Sequence, residues 1–321
     1  MFARTGASVG KTYLHKDDDA DVYFAGFLIR ARFSDEHSPE FIYQNTLTDK
    51  YNIFIKVMSQ RSGQPGVNAQ EYSSYSLWIP VIEEQQKLGN FFRTLDDTIT
   101  LHKRKLNGLK ELKRGYLQLM FPQVGERVPR MRFAGFTGDW QVRQLGEHID
   151  DYIEKTTIQN QYPVLTSSQQ QGIVFQENYF ANRQVTTENN IGYFVLPRGY
   201  FTYRSRSDNG VFKINRNDII GKGIISYFYP VFKIKDGDSD FFLQLFDSSL
   251  DKQIAIEAEG TGQRVLSLRK FKGIEVITPE IKEQITIGNF FRNIDEQIAV
   301  QQQKLDKMKQ LKAAYLKKLF V

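Results

Sequence analysis

Cysteine is absent from all 321 residues. That excludes disulfides, thiolate metal sites and a cysteine nucleophile. Histidine is scarce: His15, His37, His102 and His148 are scattered, and no two stand at a spacing that ligates a metal. No run approaches the ~18 consecutive apolar residues that a membrane span needs. No secretory signal opens the chain, so the expectation is a cytoplasmic protein with no membrane partner. Motifs of bound cofactors are missing too. No Gly-x-Gly loop follows a strand pattern, and there is neither an Asn-Pro-Pro motif nor a helicase loop. The stretch FARTGASVGK (Phe2–Lys11) lacks the phosphate-loop frame, because Gly6 and Gly10 are only four apart although Lys11-Thr12 follows. It reads as a tight turn between strands. His148 with Asp150 and Asp151 invites acid–base work or a metal, but GEHIDDYIEK reads more simply as a solvated helix face. These absences favour a binding and assembly protein over a catalyst.

Present instead are 16 Tyr and 25 Phe, ample material for cores, and a net charge of +6 with pI near 9.2. Such basicity is compatible with nucleic acid without requiring it. The length favours two domains. The dominant feature is an internal repeat. Shifted by 199 positions without a gap, Pro80–Phe121 and Pro279–Phe320 share 19 identities in 42 positions, including Gly89-Asn90-Phe91-Phe92-Arg93. The match continues weakly upstream, where SPEFIYQ (Ser38–Gln44) meets DSDFFLQ (Asp238–Gln244). The repeated unit is therefore a variable globular part followed by a long helix. At this period the first copy should lack roughly 78 residues of its front, which leaves only the second half of its globular part, Met1–Ile79.

Pro80 and Pro279 stand just before helical patterns, where proline is tolerated. In the first copy the apolar stripe is Phe92, Leu95, Ile99, Leu106, Leu109, Tyr116 and Met120. In the second it is Phe291, Ile294, Ile298, Leu305, Met308, Tyr315 and Leu319. The spacing of three and four predicts a coiled-coil seam. His102 and Gln301, and Lys113 and Lys312, put polar residues on that seam; such residues lower stability but fix register. Gly108 and Gly115 each cost about 1 kcal/mol against alanine in a helix, so this helix needs tertiary support. Two such helices packed on each other would form a spacer of roughly 50 Å, about one and a half turns of duplex DNA. A single arm lying on its own domain is the plainer alternative.

Between the helices, GIVFQ, GYFVL, GYFTY and YPVFKIK read as strands, and Asp139–Lys155 and Asp238–Leu250 as helices. The fold class is α+β. The expected division is 1–79, a partial first globular domain; 80–122, the central helix; 123–278, a second globular domain; and 279–321, the C-terminal helix. TSSQQQG (Thr166–Gly172) and YRSRSDNG (Tyr203–Gly210) carry Arg and Gln, which make bidentate contacts with guanine and adenine edges. They are equally the composition of solvated loops.

The stretch from Glu83 to Gln123, containing GNFFRTLDDTITLHKRKLNGLKELKRGYLQLMF, resembles the central conserved region of type I restriction-modification specificity subunits. VPRMRFAGFTGDWQVRQLGEHI (Val128–Ile149), with Trp140 and Leu145-Gly146, resembles the entry to their second target-recognition domain. The resemblance covers essentially the whole chain. It implies target-recognition domains joined by two antiparallel coiled-coil helices, each domain reading one half of a bipartite site in double-stranded DNA. The subunit itself would be non-catalytic. It would dock two modification (methyltransferase) subunits that use S-adenosylmethionine, and restriction subunits would add ATP- and Mg-dependent translocation and cleavage. DNA-facing residues by this resemblance are Ser167, Ser168, Gln169, Gln170, Tyr203, Arg204, Ser205, Arg206, Ser207, Asp208, Lys213, Gln263, Arg264, Arg61 and Gln64. The incomplete first domain departs from the family pattern, and a second specificity polypeptide is the expected complement. A coiled-coil adaptor that binds no DNA is the competing reading.

Overall fold

A computed structural model of the chain describes residues 1–16, 21, 23–60, 63–123, 125–180, 189–248, 250–260 and 262–320. The chain forms two compact units. Unit 1 is Met1–Gly108 with Ala299–Val321, and unit 2 is Leu109–Ile298.

In unit 1, β1 (Phe2–Ala3) pairs antiparallel with β2 (Leu28–Ile29), Phe2 opposite Ile29. The segment between Phe2 and Lys11 is the expected turn: Phe2 bridges Thr12, and Gly10 lies at positive φ, packed against Ile55. Three short helices follow, α1 (Pro39–Asn45), α2 (Asp49–Met58) and α3 (Ala69–Ser73), capped by Ser38, Thr48 and Asn68. Each cap's side-chain oxygen accepts from a backbone N–H that has no partner inside the helix. Tyr51, Ile55 and Val67 form the small core, against which Phe2 and Val9 pack. The long α4 (Ile82–Met120) starts two residues after Pro80 and continues into unit 2.

Unit 2 is richer in strands. Its elements in order are β3 (Gln141–Gln144), α5 (Leu145–His148), β4 (Ile149–Asp151), β5 (Leu165–Ser168), β6 (Gly172–Phe175), α6 (Gln176–Tyr179), β7 (Phe194–Pro197) and β8 (Phe201–Tyr203). Then come β9 (Arg206–Ser207), β10 (Ile214–Arg216), β11 (Lys222–Ile225), β12 (Val231–Ile234), α7 (Ser239–Ser248) and α8 (Asp251–Glu257). The series closes with β13 (Arg264–Val265), α9 (Leu268–Lys272), β14 (Glu275–Thr278) and the long α10 (Ile281–Leu319). A four-stranded antiparallel sheet runs β10-β8-β12-β4, and antiparallel pairs β5–β6, β7–β11, β9–β13 and β3–β14 surround it. Aromatic residues fill the core: Phe201, Phe232, Phe246 and Phe271 pack ring on ring.

The helix expected over Asp139–Lys155 is instead strand, single helical turn and strand. Leu145 and Ile149 stand four apart, as on a helix face, and both are fully buried. The flanking residues nevertheless pair with distant strands, β3 with β14 and β4 with β12. That pairing overrides local periodicity. His148 is therefore buried, not on a solvated face, and its Nδ1 donates to the Asp236 carbonyl at 2.6 Å. Among the described residues no group of acidic or histidine side chains has the arrangement of a metal site.

The repeat now has a structural meaning, because each unit carries the same set of contacts between its portions of α4 and α10. In unit 1 Lys312 donates to Asp96 at 2.6 Å, and in unit 2 Lys113 donates to Asp295 at 2.7 Å. These are equivalent residues of the two copies. Phe91 meets Tyr315 edge-on in unit 1 as Phe290 meets Tyr116 in unit 2. In both units the two helix portions run antiparallel. The polar seam residues are thus partnered: Gln301 is buried and its Nε2 reaches His102 Nδ1 and O at 2.5 and 3.0 Å. Phe92, Leu106, Phe291, Ile294 and Leu305 are buried on the seam, and Leu95, Ile99, Leu109, Tyr116, Ile298, Met308 and Tyr315 are half-buried. Leu319 departs from the expectation. It is exposed while Leu316 is buried, although its repeat equivalent Met120 is buried.

The Gly-Asn-Phe-Phe-Arg element is where each long helix meets a short one. Gln85 Oε1 accepts from Ser38 N and Gln284 Oε1 from Asp238 N, both at 3.0 Å. Phe92 and Phe291 are fully buried, and Arg93 and Arg292 face Glu40 and Asp240. A Cβ on Gly89 would lie 3.1 Å from Phe41 N; on Gly288 it would lie 2.2 Å from Asp238 Oδ1 and 2.9 Å from Phe241 N. Glycine is needed there for close approach, whereas a Cβ on Gly108 or Gly115 meets nothing. Gly108→Ala and Gly115→Ala should therefore each raise stability by about 0.5–1 kcal/mol. Gly288→Ala should lower it by about 1–3 kcal/mol through overpacking. Urea unfolding of the three variants checks this, and equal effects would contradict the packing argument.

Candidate nucleic-acid interface

The β5–β6 hairpin of unit 2 ends in Gln169-Gln170-Gln171, three exposed amides. Its tip is held in shape. Ser168 Oγ accepts from the backbone N–H of Gln170 and Gln171 at 3.2 Å each, and Gly172 supplies the positive φ that closes the turn. The hairpin is tied to β10 by Asn215, whose Nδ2 donates to Ser167 Oγ at 2.7 Å and Ser168 O at 2.9 Å. Gln169 Nε2 reaches Val211 O at 3.2 Å.

Facing this tip is the segment around β9. Arg204 and Arg206 are exposed, and Arg206 lies over the Phe228 ring with its guanidinium carbon 4.7 Å from the centroid. Ser207 Oγ donates to Asn209 Oδ1 at 2.8 Å. Asp208, the acid of the group, accepts from Gln263 Nε2 at 2.8 Å. Lys213 is ion-paired with Asp247. The two segments enclose a cleft of about 520 Å³, lined by Ser167, Ser168, Gln169, Gln170, Arg204, Arg206, Ser207, Asp208 and Lys213. Segments some 35 residues apart in the sequence thus meet across one opening. Exposed glutamine amides on a shaped turn and exposed guanidinium groups there are the kinds of donor that recognise base edges and phosphates.

Other residues expected at the interface lie elsewhere. Tyr203 is fully buried, and its hydroxyl donates to Leu266 O at 3.2 Å. Burial pushes its phenol well above the usual range, so it is a neutral core residue and not a DNA contact. Ser205 is held through its backbone, which pairs with Phe228 and Leu266. Arg264 Nη2 is spent on the Ala255 and Ala258 carbonyls at 2.7 and 3.0 Å. Gln64 belongs to unit 1, where it is exposed beside Gly6, and Arg61 lies outside the described residues. The cleft also takes in Asn209, from the YRSRSDNG stretch, together with Tyr179, Phe180 and Tyr229, which sequence reasoning missed. Tyr179 is exposed and Phe180 half-buried, and the aromatic pair in ENYF carries no local signal that separates a stacking surface from a core.

A family model described as the type I restriction modification DNA specificity domain matches residues 2–111 and 138–310. The type I restriction enzyme MjaVIII specificity subunit of Methanocaldococcus jannaschii is 20% identical over 291 residues, which are 81% of this chain and 64% of that protein. The chain therefore spans somewhat under two thirds of the length of this relative. Among solved structures, the type I restriction-modification S subunit from M. genitalium aligns with a TM-score of 0.58 at 12% identity, over 89% of this chain and 73% of that one. The HsdS subunit from Thermoanaerobacter tengcongensis aligns with a TM-score of 0.46 at 16% identity, over 89% and 70%.

Proposed function

The chain belongs to the type I restriction modification DNA specificity domain family, and from that premise we propose that it is the sequence-reading subunit of a multisubunit enzyme that modifies and restricts double-stranded DNA. The observation that carries this reading is the unit 2 cleft. The backbone of its hairpin tip is held by Ser168 and Asn215, and its tip glutamines and arginines are exposed. Residues 123–278 read one half of a bipartite site, with Gln169, Gln170, Arg204 and Arg206 toward base edges or phosphates. The paired long helices fix the spacing between the halves. The chain performs no chemistry of its own. S-adenosylmethionine, ATP and Mg belong to the modification and restriction subunits that it gathers.

A surface suited to the modification subunits is available on the long helices. Leu101 and Leu112 on α4 are 66% and 47% exposed, and their repeat equivalents Val300 and Leu311 on α10 are 50% and 46% exposed. Residues eleven apart return to the same helix face. Each helix thus carries two exposed apolar side chains outside its seam, with Lys105 on α4 and Lys304 and Lys307 on α10 between them, and these are the proposed contacts for two like subunits.

Binding measured across a salt series, with the chain assembled on its modification subunits, tests the reading. Phosphate contacts make affinity fall steeply with salt, while an adaptor without DNA contacts gives a flat line and would sink the proposal. Arg204→Ala or Arg206→Ala should reduce discrimination at one base pair by about 1–3 kcal/mol. Both side chains are exposed, so unfolding should shift by no more than about 0.5 kcal/mol. An equal loss on every sequence would assign the arginine to phosphate. Leu101→Asp with Val300→Asp should weaken capture of the modification subunits by about 2 kcal/mol or more without changing the helical circular dichroism; undiminished capture would remove these side chains from the account.

A further inference from the structure

Arg206 is an exposed cation on a fixed seat. Its backbone is bracketed from two sides. Ser205 N donates to Phe228 O and Leu266 N donates to Ser205 O, both at 2.9 Å, and β9 pairs with β13, Arg206 opposite Val265. Its guanidinium carbon lies 4.7 Å from the centre of the Phe228 ring. That ring is supported in turn. It stands in the turn 226–229 between β11 and β12, where Tyr229 N donates to Ser226 O at 3.0 Å, and it packs on Tyr227 with centroids 4.3 Å apart. A guanidinium attracted to an aromatic face gives up part of its side-chain freedom before any ligand arrives.

The neighbouring cations lack this combination. Lys213 is ion-paired with Asp247. Arg216 also lies over a ring, Phe201 at 5.8 Å, but it is largely buried and its fork is taken by Asp218 and Asp240. Arg264 is spent on two carbonyls. Arg204 is exposed between β8 and β9, and among the described residues no ring seats its guanidinium. Arg206 is both held and unspent: among the described residues its N–H groups have no hydrogen-bonding or ionic partner. A phosphate attracts a cation by charge alone, and a mobile side chain serves there. Bidentate reading of a base tolerates little misplacement, so it needs a seated fork. Guanine is the base whose major-groove edge presents two acceptors, N7 and O6, to such a fork. Asp208, two residues on, lines the same cleft, and its carboxylate repels a phosphate brought to that spot.

We propose, resting on the DNA-reading function above, that Arg206 reads a guanine in the major groove and that Phe228 is the positioning residue that aims it. Arg206 lines the cleft and Phe228 does not. The ring therefore sets the preference for one base without touching the DNA.

The test uses the chain assembled on its modification subunits. The probes are duplexes carrying the motif that this assembly methylates, together with each of its single-base changes. Arg206→Lys keeps the charge and loses the fork, and should reduce the preference for guanine at one position about tenfold. Phe228→Leu should reduce the preference at that same position about two- to fivefold and leave the salt dependence of binding unchanged. Phe228→Tyr, which keeps a ring, should retain the preference. Phe228→Leu should add nothing to Arg206→Lys and act in full beside Arg204→Ala. An equal loss on every duplex with Phe228→Leu makes the ring a support of the fold only and overturns the proposal. So does a full guanine preference in Arg206→Lys. If the unsubstituted assembly favours no duplex, the reading function falls and takes this assignment with it. Sequence preference that survives both substitutions intact removes the assignment alone.

Discussion

A lysine placed on an apolar helix seam must find an anion, and in both units it finds an aspartate of the other helix. Lys113 with Asp295 and Lys312 with Asp96 are the same contact made twice. Each aspartate is also approached by a glutamine of the adjoining short helix, Gln244 at 3.1 Å and Gln44 at 2.9 Å. A misplaced register would leave these part-buried charges unpaired, which costs more than the pair itself contributes. Direction and register of the helices are therefore set by a few polar atoms, with Phe92, Leu106, Phe291 and Leu305 supplying most of the apolar burial. The position of α1 and α7 follows, since Gly89 and Gly288 admit their N-termini only where the long helices are correctly placed.

From this seat outward the two units diverge. The side that faces the long helices repeats contact for contact, down to the glutamine amide that each long helix turns back onto the proline carbonyl before it, Gln85 on Pro80 and Gln284 on Pro279. The far side of unit 2, around the β5–β6 hairpin and β9, carries exposed Gln and Arg, with Gln169 reaching Val211 O and Arg206 lying over the Phe228 ring. The helix seam and the proposed reading loops thus rest on different residues, and under that proposal the loops can change without disturbing the seam.

Periodicity and repetition made the long helices readable in advance, because a heptad pattern is local and its duplication was nearly gapless. The strands GIVFQ, GYFVL, GYFTY and YPVFKIK were legible for the same reason, each being a short aromatic run closed by turn residues. Asp139–Lys155 was misread because the strands that claim it, β12 and β14, come more than 80 residues later, and no local pattern reports such a pairing. Of the residues expected to face DNA, Ser167–Gln170 and Arg204 with Arg206 were singled out from composition, and the structure places them on one cleft. Tyr203 and Arg264 failed as contacts for a physical reason: an alternating strand turns one side chain inward, and a guanidinium can cap carbonyls as readily as it reads guanine. Tyr179 and Phe180 went unnoticed because nothing in their own stretch tells a stacking aromatic from a core one.

The most direct measurement of the central claim, that the loops of unit 2 choose the DNA sequence, is the methylome of cells in which this chain is the only specificity subunit. Adenine methylation should follow a defined motif, and replacing residues 167–171 and 203–213 by those of a relative should change one half of that motif while leaving the other half and the spacing intact. Methylation that ignores the replacement, or that does not depend on the chain, would contradict the account.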